Sequence, residues 1–201
     1  MNHFSIVEIL GIKSYIVNIG ETYNTLQKEI EKAGVQFNNI ATINTPPRLR
    51  MSTLYAIANT CHGRVINTSN ASERYIGYST KYGDTAGDLS LFGELYATEV
   101  VEIGKFLADT TASRRYWLNS LINVTQIERI SELLKYVIKE PADGLTGKTD
   151  KENLGFSYEE LDDYIIKRIS TLPFETRKKI NEMWKAGFHK TDPIPTFYIR
   201  G

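Results

Sequence analysis

The 201 residues carry 24 Lys and Arg against 24 Asp and Glu, a formal net charge of zero, and 41% of them are hydrophobic. Balanced charge excludes the broad basic footprint of a nucleic-acid binder, and no apolar run is long enough to span a bilayer. Cys61 is the single cysteine, which excludes an internal disulfide and suits a reducing, cytoplasmic setting. The length is enough for one domain with a proper core.

The opening MNHFSIVEILG carries Glu8 and no basic leader, so it does not read as a signal peptide. Apolar spacing through residues 2–10 suits the end of a helix that Gly11 would terminate. Ile12 to Ile19 alternates as a strand does. Glu21 to Ala33 reads as a helix with Tyr23, Leu26, Ile30 and Ala33 on its core face. Residues 34–45 read as a polar loop, after which Pro46 and Pro47 open a further helix whose core face is Met51, Leu54, Ile57 and Ala58. Val65 and Ile66 end a short apolar run with the look of a buried strand. Asn67, Thr68, Ser69 and Asn70 then put small polar side chains at its C-terminal edge, where ligands bind in open α/β sheets. A polar turn, Lys81-Tyr82-Gly83-Asp84, leads to Asp88; Ser90 is a candidate N-cap for a helix starting at Leu91.

Residues 125–138 show a helical period, and residues 139–150 read as an exposed loop rich in Gly, Asp and Thr. Ser157 with Glu160 forms a capping box for a helix running to Ile169. A last helix runs from about Phe174 to Ala186, and Pro193 and Pro195 keep the tail HKTDPIPTF irregular. Strands separated by helices point to a parallel α/β sheet. Only two strands are convincing, too few to cover this many amphipathic helices.

Residues 65–107 closely resemble the ammonia-dependent NAD synthetases, whose text here runs roughly "GT-N-SE-x-x-x-GYFTKYGDG". Pro47-Arg48-Leu49-Arg50-Met51, the loop Lys139 to Gly155 and His189-Lys190 extend the likeness along nearly the whole chain. Two departures stand out: Ala97 takes the usual Lys place and Leu91 the usual Pro place. The resemblance implies a single catalytic domain over residues 1–201, a Rossmann-like parallel sheet flanked by helices of the adenine-nucleotide α-hydrolase type. The 201 residues contain no SGGxDS-type phosphate loop. Against the family pattern, the fold is therefore expected to be incomplete at its N-terminus, lacking the first two strands and that loop.

The activity implied is ATP-dependent amidation of deamido-NAD by ammonia through an adenylate, in a cytoplasmic homodimer. By the same resemblance Arg48, Lys81, Asp88, His189 and Lys190 contact deamido-NAD, Thr68 and Thr149 contact ATP, and Glu73 ligates Mg2+. Taken alone, Glu73 would read as a solvated helix carboxylate, Lys81 and Asp88 as surface charges, His189 as a surface histidine and Thr149 as a turn residue. Arg48 stands in a first helical turn, where the dipole disfavours a cation, which points mildly to a ligand. Tyr82 is a candidate for stacking, and Cys61 reads as a small buried residue. Because backbone donors for the pyrophosphate are expected on the phosphate loop, these residues by themselves are expected to bind deamido-NAD weakly without turning over ATP. The alternative is a non-catalytic dinucleotide-binding or subunit-interaction remnant of the family.

Overall fold

A computed structural model of the chain describes residues 7–8, 11–109, 147–167 and 171–191. The predicted helix at 125–138, most of the 139–150 loop and the tail beyond residue 191 lie outside the described residues. The chain divides into two compact units, Met1–Ile16 with Tyr96–Ser170, and Val17–Leu95 with Thr171–Gly201.

The second unit begins with α1 (Gly20–Lys32), within a residue of its predicted span. It is followed by α2 (Asn39–Thr60), β1 (Ile66–Asn67), α3 (Ala71–Ile76), β2 (Leu89–Ser90) and, after residue 170, α7 (Phe174–Thr191). The two short strands are parallel, with Ile66 opposite Leu89 and Asn67 opposite Ser90. The Asp88 amide donates to the Val65 carbonyl at 2.7 Å and the Leu91 amide to the Asn67 carbonyl at 3.3 Å, extending the ladder at both ends. The crossover between them carries α3 and a long loop.

The α/β class with a parallel sheet holds, but several local expectations do not. Ile12 to Ile19 is not a strand: it has no ladder partner among the described residues, and Ile12, Tyr15, Ile16 and Val17 are exposed. A strand without a neighbour leaves its backbone groups to water. Gly11 does end the helical turn at residues 7–8, at φ +61°. The predicted loop 34–45 is partly helical, because Asn38 caps α2 by accepting from the Ala41 amide at 2.9 Å. Pro46 and Pro47 therefore lie inside α2, where each removes one helical N–H. Ser90 is a strand residue, not a cap, and the next helix, α4, starts only at Ala97. Of the two residues read as a buried strand, Val65 is buried and Ile66 exposed. Cys61 is exposed. Leu26 and Leu54, both assigned to core faces, are also exposed. Two strands of two residues offer little surface for them to cover.

In the first unit α4 (Ala97–Asp109) packs on α6 (Tyr158–Lys167), which follows α5 (Asp150–Leu154). Asp162, 2% exposed, accepts from the Thr98 amide at 2.9 Å and the Thr98 hydroxyl at 2.8 Å, and so caps α4 from the neighbouring helix. The predicted Ser157–Glu160 capping box is present, with the Glu160 amide donating to Ser157 Oγ at 3.2 Å and the Ser157 amide to Glu160 Oε2 at 2.7 Å. Phe156 and Leu161 are buried beneath it.

In the second unit α3 packs on α7 through two glycines. Gly77 ends α3 at φ +62°, and a Cβ on Gly187 would lie 2.6 Å from the Gly77 Cα. Ile76 and Ile180 are buried in this unit, and Trp184 lies 6.4 Å from Tyr75, ring to ring. The close backbone approach sets where the last turn of α7 can reach.

Candidate functional site

The loop from Gly77 to Asp88 lies in the second unit and is held from three directions. From α2, Asn44 Oδ1 accepts from the Thr80 hydroxyl at 2.7 Å, and Pro47 is so close that a Cβ on Gly83 would lie 2.8 Å from its own. The proline pair inside α2 thus presents an apolar ring, not a chain of donors, to a loop glycine. Within the loop, Asp84 Oδ2 accepts from the Thr80 amide at 3.0 Å and the Thr85 hydroxyl accepts from the Tyr82 amide at 2.9 Å. The bond at Tyr82 supports a left-handed backbone there, φ +61°, uncommon for a residue with a side chain.

Four of the five residues assigned to deamido-NAD by resemblance converge on this loop. Arg48 Nε donates to the Lys81 carbonyl at 3.2 Å. The Lys81 ammonium donates to the His189 carbonyl and lies 5.4 Å from the centre of the Tyr82 ring. The Lys190 ammonium donates to the Gly77 carbonyl at 2.8 Å and the Ser79 carbonyl at 2.7 Å. Burial holds the Lys190 ammonium below the usual lysine range, opposed by the Asp84 carboxylate. His189 Nδ1 lies 2.9 Å from the Ala186 carbonyl. These residues are helical, so the predicted end at Ala186 falls short: α7 continues to Thr191. The fifth residue, Asp88, accepts from the Val65 amide through Oδ2 at 2.7 Å, tying the loop's end to β1.

Thr68 follows β1 directly and is exposed at its C-terminal edge. Glu73 sits in the first turn of α3, half-buried, and forms a capping box with Asn70: the Asn70 amide donates to Glu73 Oε2 at 3.0 Å, and the Glu73 amide to Asn70 Oδ1 at 2.9 Å. Thr149 belongs to the first unit, where it caps α5. Its amide donates to Glu152 Oε2 at 2.8 Å, and that bond holds the Glu152 carboxyl below the usual range. Thr149, Lys151, Glu152 and Gly155 line an open depression of about 500 Å³. No group of three His, Cys, Asp or Glu suited to a metal occurs among the described residues.

Sequence reading missed the residue that knits this region together. Asn67, 8% exposed, sends its amide to two loop carbonyls and receives a backbone amide in return. Its position at the end of an apolar run was the only signal.

The sequence model of the NAD synthase family matches residues 2–193. The chain belongs to the NAD synthase family. An NH3-dependent NAD+ synthetase of Finegoldia magna is 34% identical over 182 residues, covering 90% of this chain and 64% of the relative. Its counterpart in Methanocaldococcus jannaschii is 30% identical over 203 residues, covering 95% of this chain and 70% of the relative. Thus the chain spans a little under two thirds of the length of the Finegoldia relative it matches. Among solved structures, the NMN synthetase of Francisella tularensis matches with a TM-score of 0.76 and 27% identity, covering 96% of this chain and 70% of the other. The NH3-dependent NAD synthetase of Campylobacter jejuni matches with a TM-score of 0.60 and 19% identity, covering 97% of this chain and 70% of the other, and supports the fold. Every α and β element described above falls within the family-matched residues. No helix among the described residues is long and apolar enough to cross a membrane.

Proposed function

We propose that this member of the NAD synthase family takes part in the ATP-dependent amidation of deamido-NAD by ammonia, and that the second unit carries the dinucleotide-binding half of the site. The observation that supports this best is the gathering of Arg48, Lys81, His189 and Lys190 at a single loop beside the C-terminal edge of β1. Cations at that edge suit a dianionic pyrophosphate, and the planar fork of Arg48 can meet it bidentately. In this proposal Arg48, Lys81, Asp88, His189 and Lys190 hold deamido-NAD, Thr68 meets ATP, and Tyr82 offers a stacking face.

Attack of a carboxylate on a phosphate brings two anions together, so positive charge must be concentrated before the bond forms. In this reading, position does so: Lys81 on the loop and Arg48 on α2 are each tied to a backbone carbonyl. Mg2+ takes few protein carboxylates when phosphates supply the other oxygens. Glu73, a single hard-oxygen donor five residues after Thr68, fits such a role; when bound there, the ion would neutralise the phosphates of ATP. The family's cytoplasmic setting is carried into the proposal, and so is its homodimer, which the large apolar side chains left exposed support.

One observation favours a second substrate. The likeness to the Francisella NMN synthetase is stronger, in fold and in identity, than that to the Campylobacter NAD synthetase. Nicotinate mononucleotide carries the same pyridine carboxylate as deamido-NAD, so the same chemistry applies. The test incubates the chain with ATP, Mg2+, ammonium and either nucleotide, by itself and fused to a family segment carrying the SGGxDS loop, and assays AMP and amide. Formation of AMP and amide one to one in the fusion, dependent on ammonium, is expected. A fusion that folds and binds both nucleotides yet forms no amide from either would overturn the catalytic reading. Preference for the mononucleotide would replace the dinucleotide with it.

A further inference from the structure

Asn67 ends β1 and is buried, 8% exposed, although it is polar. A primary amide has two N–H donors and an oxygen with two lone pairs. All are used here. Nδ2 donates to the Asp84 carbonyl at 2.6 Å and to the Ala86 carbonyl at 3.2 Å. Oδ1 accepts from the Ser69 amide at 3.0 Å and from the Ser90 hydroxyl at 3.5 Å. The Ser69 hydroxyl donates to the same Asp84 carbonyl at 3.2 Å. The loop also packs against Asn67 without room to spare: a Cβ on Gly87 would lie 2.6 Å from the Asn67 Cβ and 2.8 Å from its nitrogen.

These bonds join the end of β1 to residues 84 and 86, which lie between Lys81 and Asp88, and to Ser90 just beyond them. We propose that Asn67 is a positioning residue for the nucleotide site: its carboxamide fixes the 84–86 backbone and thereby sets the spacing of Lys81 and Asp88, without itself touching ligand. The inference rests on the reading above that Lys81 and Asp88 contact a nicotinate nucleotide. No residue with a shorter polar side chain reaches both carbonyls. Aspartate keeps the size but sets an oxygen against two carbonyl oxygens.

Asn67→Asp tests this with two readouts. The first is limited trypsin cleavage after Lys81, followed by mass spectrometry, which needs no ligand. The second is deamido-NAD affinity by calorimetry. Losing two buried donor bonds and replacing them with repulsion should speed cleavage after Lys81 and weaken binding, each by roughly 10- to 100-fold. Cleavage after Lys28 and Lys32 in α1 should stay at its parental rate, because the lost bonds hold only residues 84–90; a general loosening of the fold would raise it as well. Gly87→Ala, which pushes the loop off Asn67 from the other side, should give the same local signature. If Asn67→Asp does not fold, Asn67→Ser is scored by the same criteria. Parental cleavage after Lys81 in the folded Asn67 variant and in Gly87→Ala overturns the inference. So does faster cleavage with nucleotide affinity unchanged. If the parent protein itself binds no nicotinate nucleotide, the reading of the site fails, and a parental cleavage rate in Asn67→Asp would still refute the positioning role.

Discussion

Gly187→Ala is the sharpest test of how the second unit is assembled. The added Cβ would lie 2.6 Å from the Gly77 Cα, 2.9 Å from the Gly77 nitrogen and 2.9 Å from the Ile76 carbonyl oxygen. All three are backbone atoms, so no rotamer change relieves the overlap. Restoring ordinary contact needs a separation of α3 and α7 by most of an ångström. Overpacking of this kind costs about 1–3 kcal/mol. Such a shift would also stretch the Lys190 bonds to Gly77 and Ser79, now 2.8 and 2.7 Å, out of hydrogen-bonding range. Bonds from a charged donor contribute about 1.5–3 kcal/mol. Replacing a helical glycine by alanine returns about 1 kcal/mol of helix propensity. The net expectation is a loss of about 2–4 kcal/mol. Trp184, between a tilted Tyr75 ring and an edge-on Phe188 ring, reports this contact by fluorescence in a Trp117→Phe background. At an m-value of about 2 kcal/mol/M, the urea midpoint should fall by about 1–2 M with m unchanged. Gly104→Ala is the control: nothing lies within 4 Å of its added Cβ, and it should stabilise by about 0.5–1 kcal/mol. A Gly187→Ala midpoint equal to or above the parent's would refute the reasoning.

Further outcomes follow from single contacts. Asp162→Ala strips the buried acceptor from the Thr98 amide and hydroxyl and should cost about 1–3 kcal/mol, with faster hydrogen exchange at the start of α4; unchanged exchange there would contradict the cap. The Lys190 pKa is lowered from 10.5 by burial, so the unfolded chain keeps this proton at pH values where the folded one has released it. Stability attributable to Lys190 should therefore rise with pH through its folded pKa towards 10.5, and the midpoint difference between the parent and Lys190→Met should widen over that window; a flat difference would contradict it. Light scattering at micromolar concentration should show a dimer, and a strict monomer would remove the homodimer from the proposal.

What could be read from the sequence was local. The Ser157–Glu160 capping box, the glycine end at Gly11 and the span of α1 each depend on neighbours within a turn, and each is present. The failures are non-local. Ile12 to Ile19 has strand composition, but a strand exists only with a partner, and none is found among the described residues. Ser90 looked like a cap because its pairing with Asn67 crosses 23 residues. The last turn of α7 was lost to the proline-rich tail, whereas Lys190 anchors that turn on carbonyls more than 100 residues away. The start of α2 was hidden by its proline pair, although Asn38 marked it. Arg48, Lys81, His189 and Lys190 were legible through family resemblance, since separations of up to 142 residues leave no pattern of their own. Asn67 was legible only as a small polar residue at the end of a strand, because its bonds go to backbone carbonyls 17 and 19 residues on.

The central claim is that a nicotinate nucleotide sits against the loop between Lys81 and Asp88. Calorimetric titration of deamido-NAD into the parent protein, Lys81→Glu and Arg48→Glu, without ATP, tests it most directly. The expected result is saturable one-site binding to the parent, weakened at least about tenfold in each charge-reversal variant. Equal affinity in all three proteins, or heat that never saturates with the parent, would contradict it.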